Sequence, residues 1–374
     1  MKLIISIFGL FLSSCLLAQT KDCWPSFRGG QQLQGVTADR LPAQPRLLWT
    51  FRAEDDIIAS PVVCNGILIV GSVDGCLYGV NMEGKQLWSL QTENAIEAPA
   101  LIFEATVFVG NMDGTLLALD LYTGRELWSY QTDNQIMGAP NWWIQGSEAR
   151  VIVGSYDYSL HCLDAKTGKL KWKYESDNYI NSAAAIISDK AVFGGCDGFL
   201  HIINMPTGML EKKVDVATYI AGSAAVEGNK AYVGDYDGRL SCIDIATGEL
   251  DWQFEGPEYN LPFIASPSLQ GNRIVIGSRD KNIYCIDKRT GELIWRHRSG
   301  SRIDASSVIA GGKVLAVNMR GDVEILSLED GTVMWSYELG VPISATPACA
   351  SGRFFIGGSD GKFYCFGDQL KTGN

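Results

Sequence analysis

An all-β fold follows from three observations in this 374-residue sequence. Tryptophan recurs at positions 49, 88, 128, 172, 252, 295 and 335, with successive gaps of 39, 40, 44, 80, 43 and 40, the longest being two repeats with Lys212 at the skipped place. An Asp-Gly pair or a close variant recurs in step, at Asp74, Asp113, Asp157, Asp197, Asp237, Asp280, Arg320-Gly321 and Asp360. No segment beyond the N-terminal leader sustains a 3.6-residue apolar period. Eight repeats of about 40 residues, each reading as four short antiparallel strands, predict an eight-bladed β-propeller.

The elements can be justified in chain order. Lys2 followed by the apolar run Leu3 to Leu12 reads as a secretory signal peptide over residues 1–18, with an apolar stretch too short to span a bilayer. Two cleavage sites compete: Ala18, a small residue suited to ordinary signal peptidase, and Leu12-Ser13-Ser14-Cys15, which resembles a bacterial lipobox and would leave Cys15 lipidated. Either one exports the chain to the periplasm, the outer membrane or the exterior. Residues 19–46 form a lead-in, 47–367 the single propeller and 368–374 a tail. In the second repeat 98–103 is apolar, 106–111 is β-rich, Asp113-Gly114 turns, 115–121 is a strand, Thr123-Gly124 turns again and 126–131 completes the blade. The eighth repeat stops before its Trp-bearing strand, whereas Leu47-Leu48-Trp49-Thr50-Phe51 is an orphan strand of that type. The N-terminal strand is therefore expected to complete the last blade and close the ring, leaving no open edge.

Composition narrows the function. Hydrophobic residues make up 46% and charged residues 20%, as in ordinary globular chains. The 42 acidic against 31 basic residues give a net charge of -11, which repels phosphate backbones and argues against nucleic acid as a partner. Ten cysteines include Cys15; setting it aside leaves an odd number, so a complete disulfide framework is excluded. Cys162, Cys242, Cys285 and Cys365 share one repeat position with Gly79, Ala118, Ile202 and Ile325, which marks a small core slot. Cys64 and Cys349 fall in the repeats that meet at closure, and their pairing is an open alternative that depends on Cα separation.

The unit Ala/Cys-x-Asp-x-x-Thr-Gly-x-x-x-Trp, seen at 118–128, 162–172, 242–252 and 285–295, resembles the tryptophan-docking motif of pyrroloquinoline-quinone (PQQ) type β-propellers. The opening Trp24-Pro25-Ser26-Phe27-Arg28-Gly29 is similar to the N-terminal signature of their exported members. The resemblance implies that Trp49, Trp88, Trp128, Trp172, Trp252, Trp295 and Trp335 are structural, each packed on the next blade beneath its Thr-Gly turn. It also implies one of two functions. One branch of the family is quinoprotein dehydrogenases, which hold PQQ and calcium on the ring axis beside adjacent cysteines; this sequence has no adjacent cysteines, no large insertion and no calcium-ligand run, so neither cofactor is expected. The other branch is non-catalytic scaffolds of this length that assemble outer-membrane proteins, and implies an envelope protein partner, such as a β-barrel assembly subunit, for a monomeric ring. A PQQ- or metal-dependent oxidoreductase and a carbohydrate-binding propeller are the alternatives.

The residues themselves offer no catalytic set. His161 and His201 share a repeat position but are too few for a zinc site, and His297 reads as a solvated outer-strand residue. No Gly-x-Ser-x-Gly or phosphate loop occurs, and the Asp-Gly carboxylates read as turn formers. The Asp-Gly turns and the blade-to-blade linkers must share one end of the ring. Two insertions stand out. The linker 256–263 brings Tyr259, Leu261 and Phe263 to that end, and the third repeat carries Trp142 and Trp143 on its inner strand. These five are the candidate partner-binding residues, aromatics on loops of a rigid scaffold being typical interface anchors.

Overall fold

The computed structural model describes residues 22–257 and 260–368. Eight antiparallel sheets follow one another around an axis as blades 1 to 8: residues 62–91, 101–131, 141–175, 185–215, 225–255, 268–298, 308–338 and 348–367. Each begins with a short inner strand and ends with an outer one. The inner strands of successive blades touch around the axis. The middle strands are almost wholly buried, as in Ile67–Gly71 and Cys76–Asn81, while the outer ones alternate exposed and half-buried residues. That alternation is the two-residue period of a strand with one face on its neighbour and one in water.

Ring closure occurs as the sequence predicts. Arg46–Arg52 is the fourth strand of blade 8, pairing antiparallel with Lys362–Gly367 from Arg46 opposite Gly367 to Arg52 opposite Lys362. The tryptophans dock as the motif implies. The indole nitrogens of Trp88, Trp128 and Trp172 donate to the carbonyls of Leu121, Ala165 and Met205 in the next blade, at 3.0, 3.1 and 2.9 Å. Gly124 shows why the turn needs glycine: its φ is +70°, and a Cβ there would stand 2.5 Å from the Trp88 ring. Cys162, Cys242, Cys285 and Cys365 are buried free thiols in the expected core slot. Burial pushes each of them up to about 12, so they are not poised as nucleophiles.

The cysteine pairing differs from the alternative left open by the sequence. Cys64 is disulfide-bonded to Cys23 of the lead-in, with the Cα atoms 4.4 Å apart, whereas Cys349 is a buried free thiol. Cys349 lies on an inner strand of blade 8, and the chain that reaches Cys64 is the lead-in, tied to the same strand by reciprocal Trp24–Val63 backbone bonds of 2.7 and 2.9 Å.

From Cys23 to Asp39 the lead-in is structural. It crosses one end of the ring and bonds to every blade in turn. After Trp24, the Pro25 carbonyl accepts from Ile102 in blade 2 (2.6 Å), and that of Gln31 from the Asn141 side chain in blade 3 and the Ile186 amide in blade 4 (both 2.8 Å). Gln32, Gln34 and Gly35 take Val226, Leu269 and Ile309 in blades 5 to 7 at 3.0, 2.9 and 2.9 Å, and the Asp39 carboxylate takes the Gly352 amide in blade 8 at 2.7 Å. Arg28 is wholly buried on this path at a left-handed φ of 63°. It donates to the carbonyls of Ser307 and Pro267 and to the Ser268 hydroxyl at 2.6, 3.0 and 2.7 Å, and desolvation lowers its guanidinium to about 9.

Two stability outcomes follow. Removing residues 47–51 opens the ring at blade 8 and is expected to abolish a cooperative thermal transition; a truncation that melts like the parent contradicts the closure. Replacing both Cys23 and Cys64 by serine releases a loop of 41 residues. It should cost about 2–4 kcal/mol, read as a lower denaturant midpoint.

Candidate functional site

Because the lead-in covers one end, the axis opens only toward the Asp-Gly end. There a cavity of about 150 Å³ lies on the axis, floored by Phe27 and walled by small residues that precede each inner strand. One position of that wall recurs as Ser60, Pro99, Ala139, Ala183, Ser223, Ser266, Ser306 and Thr346. Its hydroxyls link the blades: the amides of Ala183, Ser223, Ser266, Ser306 and Thr346 donate to the side-chain oxygens of Ser223, Ser266, Ser306, Thr346 and Ser60, at 2.9, 2.9, 2.8, 3.1 and 2.9 Å. The chain of bonds ends where Pro99 and Ala139 lack a hydroxyl. Each bond satisfies an otherwise buried amide, which is costly to leave unpaired. Beside the mouth, Arg279 grips Asp304 with two bonds of 2.8 and 3.0 Å, an ion pair that holds the guanidinium above its usual range.

Around this mouth the linkers and Asp-Gly turns are stitched together. The amides of Tyr156, Cys196 and Tyr236 donate to the carbonyls of Gln135, Tyr179 and Tyr219 at 2.9, 3.0 and 3.0 Å. The side chains on blades 3 to 5 are tyrosines: Tyr156 stacks on Tyr179 at 4.6 Å, Tyr158 lies 5.2 Å from Tyr179, and Tyr219 meets Tyr236 edge-on at 6.2 Å. Tyr158, Tyr179, Tyr219 and Tyr236 are exposed, the last three being 38, 55 and 40% accessible. Four large aromatics in water on adjoining blades are unusual, because such rings carry a large apolar area. Carboxylates accompany them: Asp177 is well exposed, and burial holds the nearby Glu97 carboxyl above its ordinary value.

The five predicted partner-binding residues separate here. Leu261 is 42% exposed at the Asp-Gly end, against Gly238. Phe263 is instead buried beneath the face, 5.9 Å from Tyr284, with its amide held by the Asp235 carbonyl. Trp143 is buried too; its indole donates to the Ser188 carbonyl at 2.7 Å and carries the Arg150 guanidinium 5.1 Å from its ring centre. Trp142 is half-buried against Phe103 in the core between blades 2 and 3. Burial takes the Phe263 and Trp143 side chains off the surface, whereas Trp142 remains partly accessible. Tyr259 and Cys15 lie outside the described residues.

The histidines have a structural explanation that sequence spacing did not supply. His161 bonds Asp157 at 3.0 and 3.1 Å and the Tyr130 hydroxyl of the preceding blade at 3.1 Å. His201 repeats the arrangement with Asp197 at 2.8 Å and Tyr174 at 2.9 Å. His297 is mostly buried rather than solvated, paired with Glu324 at 3.2 Å. Burial alone would raise the Asp157 carboxyl, but the His161 bond and charge, with help from Asp133 and Lys173, outweigh it and hold it at about 2. The Asp-Gly turns do bond their own backbone, as Asp157 takes the Ser159 amide at 3.0 Å. Among the described residues no three His, Cys, Asp or Glu side chains come together as metal ligands.

Fold and docking motif together define a β-propeller of the PQQ type. A family profile described as "Outer membrane protein assembly factor BamB" matches residues 96–219 and 210–374, and the chain belongs to that family. Solved structures with this fold include BamB from Moraxella catarrhalis, 20% identical, with a TM-score of 0.73 over 88% of this chain and 99% of that one. They also include a europium-containing methanol dehydrogenase, 12% identical with a TM-score of 0.79 over 94% and 99% of the two chains. A quinohemoprotein alcohol dehydrogenase from Comamonas testosteroni is 13% identical, with a TM-score of 0.77 over 96% and 83%. At these identities the likeness establishes the fold alone. No curated protein sequence matches significantly.

The depressed Asp157 carboxyl gives a pH test. A carboxyl near 2 when folded and near 4 when unfolded contributes stability that is complete above about pH 4 and is lost as the pH falls toward 2. His161→Ala removes the partner, so the acid-unfolding midpoint should move to higher pH with a loss of roughly 1–3 kcal/mol at neutral pH. A variant whose acid limb superimposes on that of the parent would contradict this account.

Proposed function

We propose that this protein is an exported, non-catalytic scaffold that docks an envelope protein on its Asp-Gly face, the partner being of the β-barrel assembly type that its family description names. The exposed tyrosine sector carries this reading. Tyr158, Tyr179, Tyr219 and Tyr236, continued by Leu261, offer apolar area with hydroxyl tips on loops braced by backbone bonds, a composition suited to protein recognition. A fixed scaffold also limits the ordering cost of binding.

The axial cavity supports the same reading by its chemistry. A redox quinone with its metal needs a roomy site and several free carboxylate or amide ligands. The mouth here offers a cavity of about 150 Å³ walled largely by alanine, glycine, serine and proline; its carboxylate, Asp304, is already held by Arg279, and Asn181 supplies one unpartnered amide oxygen, short of the several ligands such a group needs. PQQ and calcium do not fit that donor set. Cleavage at Cys15 with lipidation would hold the scaffold at a membrane surface; mass spectrometry of the mature N-terminus distinguishes this from cleavage after Ala18.

The test is a Tyr179→Ala, Tyr219→Ala double variant titrated against the purified periplasmic portion of the β-barrel assembly subunit from the same organism. Removing two interface aromatics should weaken binding by at least about tenfold with unchanged melting temperature. Equal affinity in variant and parent would remove this face as the docking site.

A further inference from the structure

The interface between blades 4 and 5 departs from the repeat in three places at once. Lys212 stands where the other blades place their docking tryptophan, lying against Gly248, the turn glycine that faces an indole elsewhere. No described group donates to the Ile245 carbonyl, the counterpart of the carbonyls that take the indoles of Trp88, Trp128 and Trp172. Two residues further along the outer strand, four of the other interfaces are bridged by a pair of side chains that includes an aromatic ring. Phe51 packs on Tyr78 at 5.2 Å and Phe254 on Tyr284 at 5.4 Å, while Tyr130 and Tyr174 reach His161 and His201. Between blades 4 and 5 the pair is Val214 and Ser241, too small to meet.

A groove of about 360 Å³ opens at this spot, lined by Val214, Val216, Ile243 and Leu250 with Ser241 and Gln253. Its apolar walls and neutral polar floor, where Gln253 bonds Ser241 at 3.0 Å, match what a phenol or indole ring requires. Its rim is acidic, Arg239 pairing with Glu255 at 3.2 Å and Asp237 at 3.5 Å while the Asp215 carboxylate takes the Ala217 amide at 2.8 Å, which disfavours an anionic ligand. At four of the other interfaces this chain fills the place itself with an aromatic ring from an outer strand, Phe51, Tyr130, Tyr174 or Phe254. We propose that the groove between blades 4 and 5 receives one aromatic side chain, tyrosine or tryptophan, from an extended segment of a partner protein.

The test uses the full chain with methyl-labelled valine and isoleucine, titrated with N-acetyl-tyrosinamide and N-acetyl-tryptophanamide, and with N-acetyl-alaninamide as control. Saturable shifts of the Val214, Val216 and Ile243 methyls with the two aromatic amides, absent with the alanine amide, are expected. The Val214→Tyr, Ser241→His variant grafts the pair used between blades 3 and 4 into the groove; it should melt at or above the parent and bind the aromatic amides at least tenfold more weakly. Should the double graft not fold, Ser241→Leu, which narrows the groove from one wall, takes its place with the same expectation. Absence of localised shifts in the parent overturns the proposal, as does undiminished binding by a folded, filled variant. The readout is binding of the amides at the Val214, Val216 and Ile243 methyls with Tyr179 and Tyr219 unaltered, so its failure is distinguishable from that of protein docking on the Asp-Gly face.

Discussion

Eight inner strands arranged around an axis leave eight inner edges with backbone groups that need partners, in a space too narrow for a sheet. Everything else about this ring depends on how that is solved. The segment from Trp24 to Asp39 crosses the end of the axis and gives each blade a hydrogen bond, while the buried Arg28, bonded to neutral oxygens, ties blades 6 and 7 through Pro267, Ser268 and Ser307. Burying a guanidinium is costly unless its donors are satisfied, so this segment holds its place only because the carbonyls are there to receive it. The same stretch of chain then supplies the closing strand, Arg46–Arg52. Plugging one end has a functional consequence: only the Asp-Gly end leaves the axis and the linkers accessible together.

Much of this was legible in the sequence because the repeat supplies its own controls. The tryptophan period and the Asp-Gly turns indicate eight blades, and the orphan strand around Trp49 indicates the closure, since each rests on local chemistry repeated in register. What was not legible depends on contacts between distant segments. The Cys23–Cys64 bond joins the lead-in to blade 1, and no spacing rule connects a cysteine outside the repeat with one inside it. Phe263 reads as a linker aromatic and Trp143 as an inner-strand one in one dimension, yet Phe263 turns beneath the face onto Tyr284 and the strand face of Trp143 points into the core. The tyrosine sector was missed because its members come from turns and linkers of three blades, and only the ring brings them side by side. The axial hydroxyls did leave a signal, a serine or threonine two residues before the inner strand, at one position of the repeat.

A repeating fold turns each departure into a comparison with seven neighbours at the same position. Departures that keep the interface filled, such as a tyrosine-histidine pair replacing a phenylalanine-tyrosine pair, are alternative ways of meeting one packing requirement. Departures that leave apolar surface uncovered are different, because a folded ring gains nothing from them and loses contact energy at the rim. The exposed tyrosines at the open end and the small pair between blades 4 and 5 are both of this kind.

That the ring tolerates a loosened interface there has a physical reason in its hub. Stability in a repeat architecture is approximately a sum of unit and nearest-neighbour terms, so weakening one interface endangers closure unless another bond spans it. Blades 4 and 5 are spanned twice. The consecutive carbonyls of Gln31 and Gln32 receive Ile186 and Val226 from the two blades at 2.8 and 3.0 Å, and the Ala183 amide reaches the Ser223 hydroxyl at 2.9 Å. Both ties lie at the axis, so the inner strands of the two blades are held whatever packs at the rim. An opening at the rim of such an interface holds its shape, and a side chain entering it need not reorganise the ring, which is the condition under which a shallow groove can bind at all.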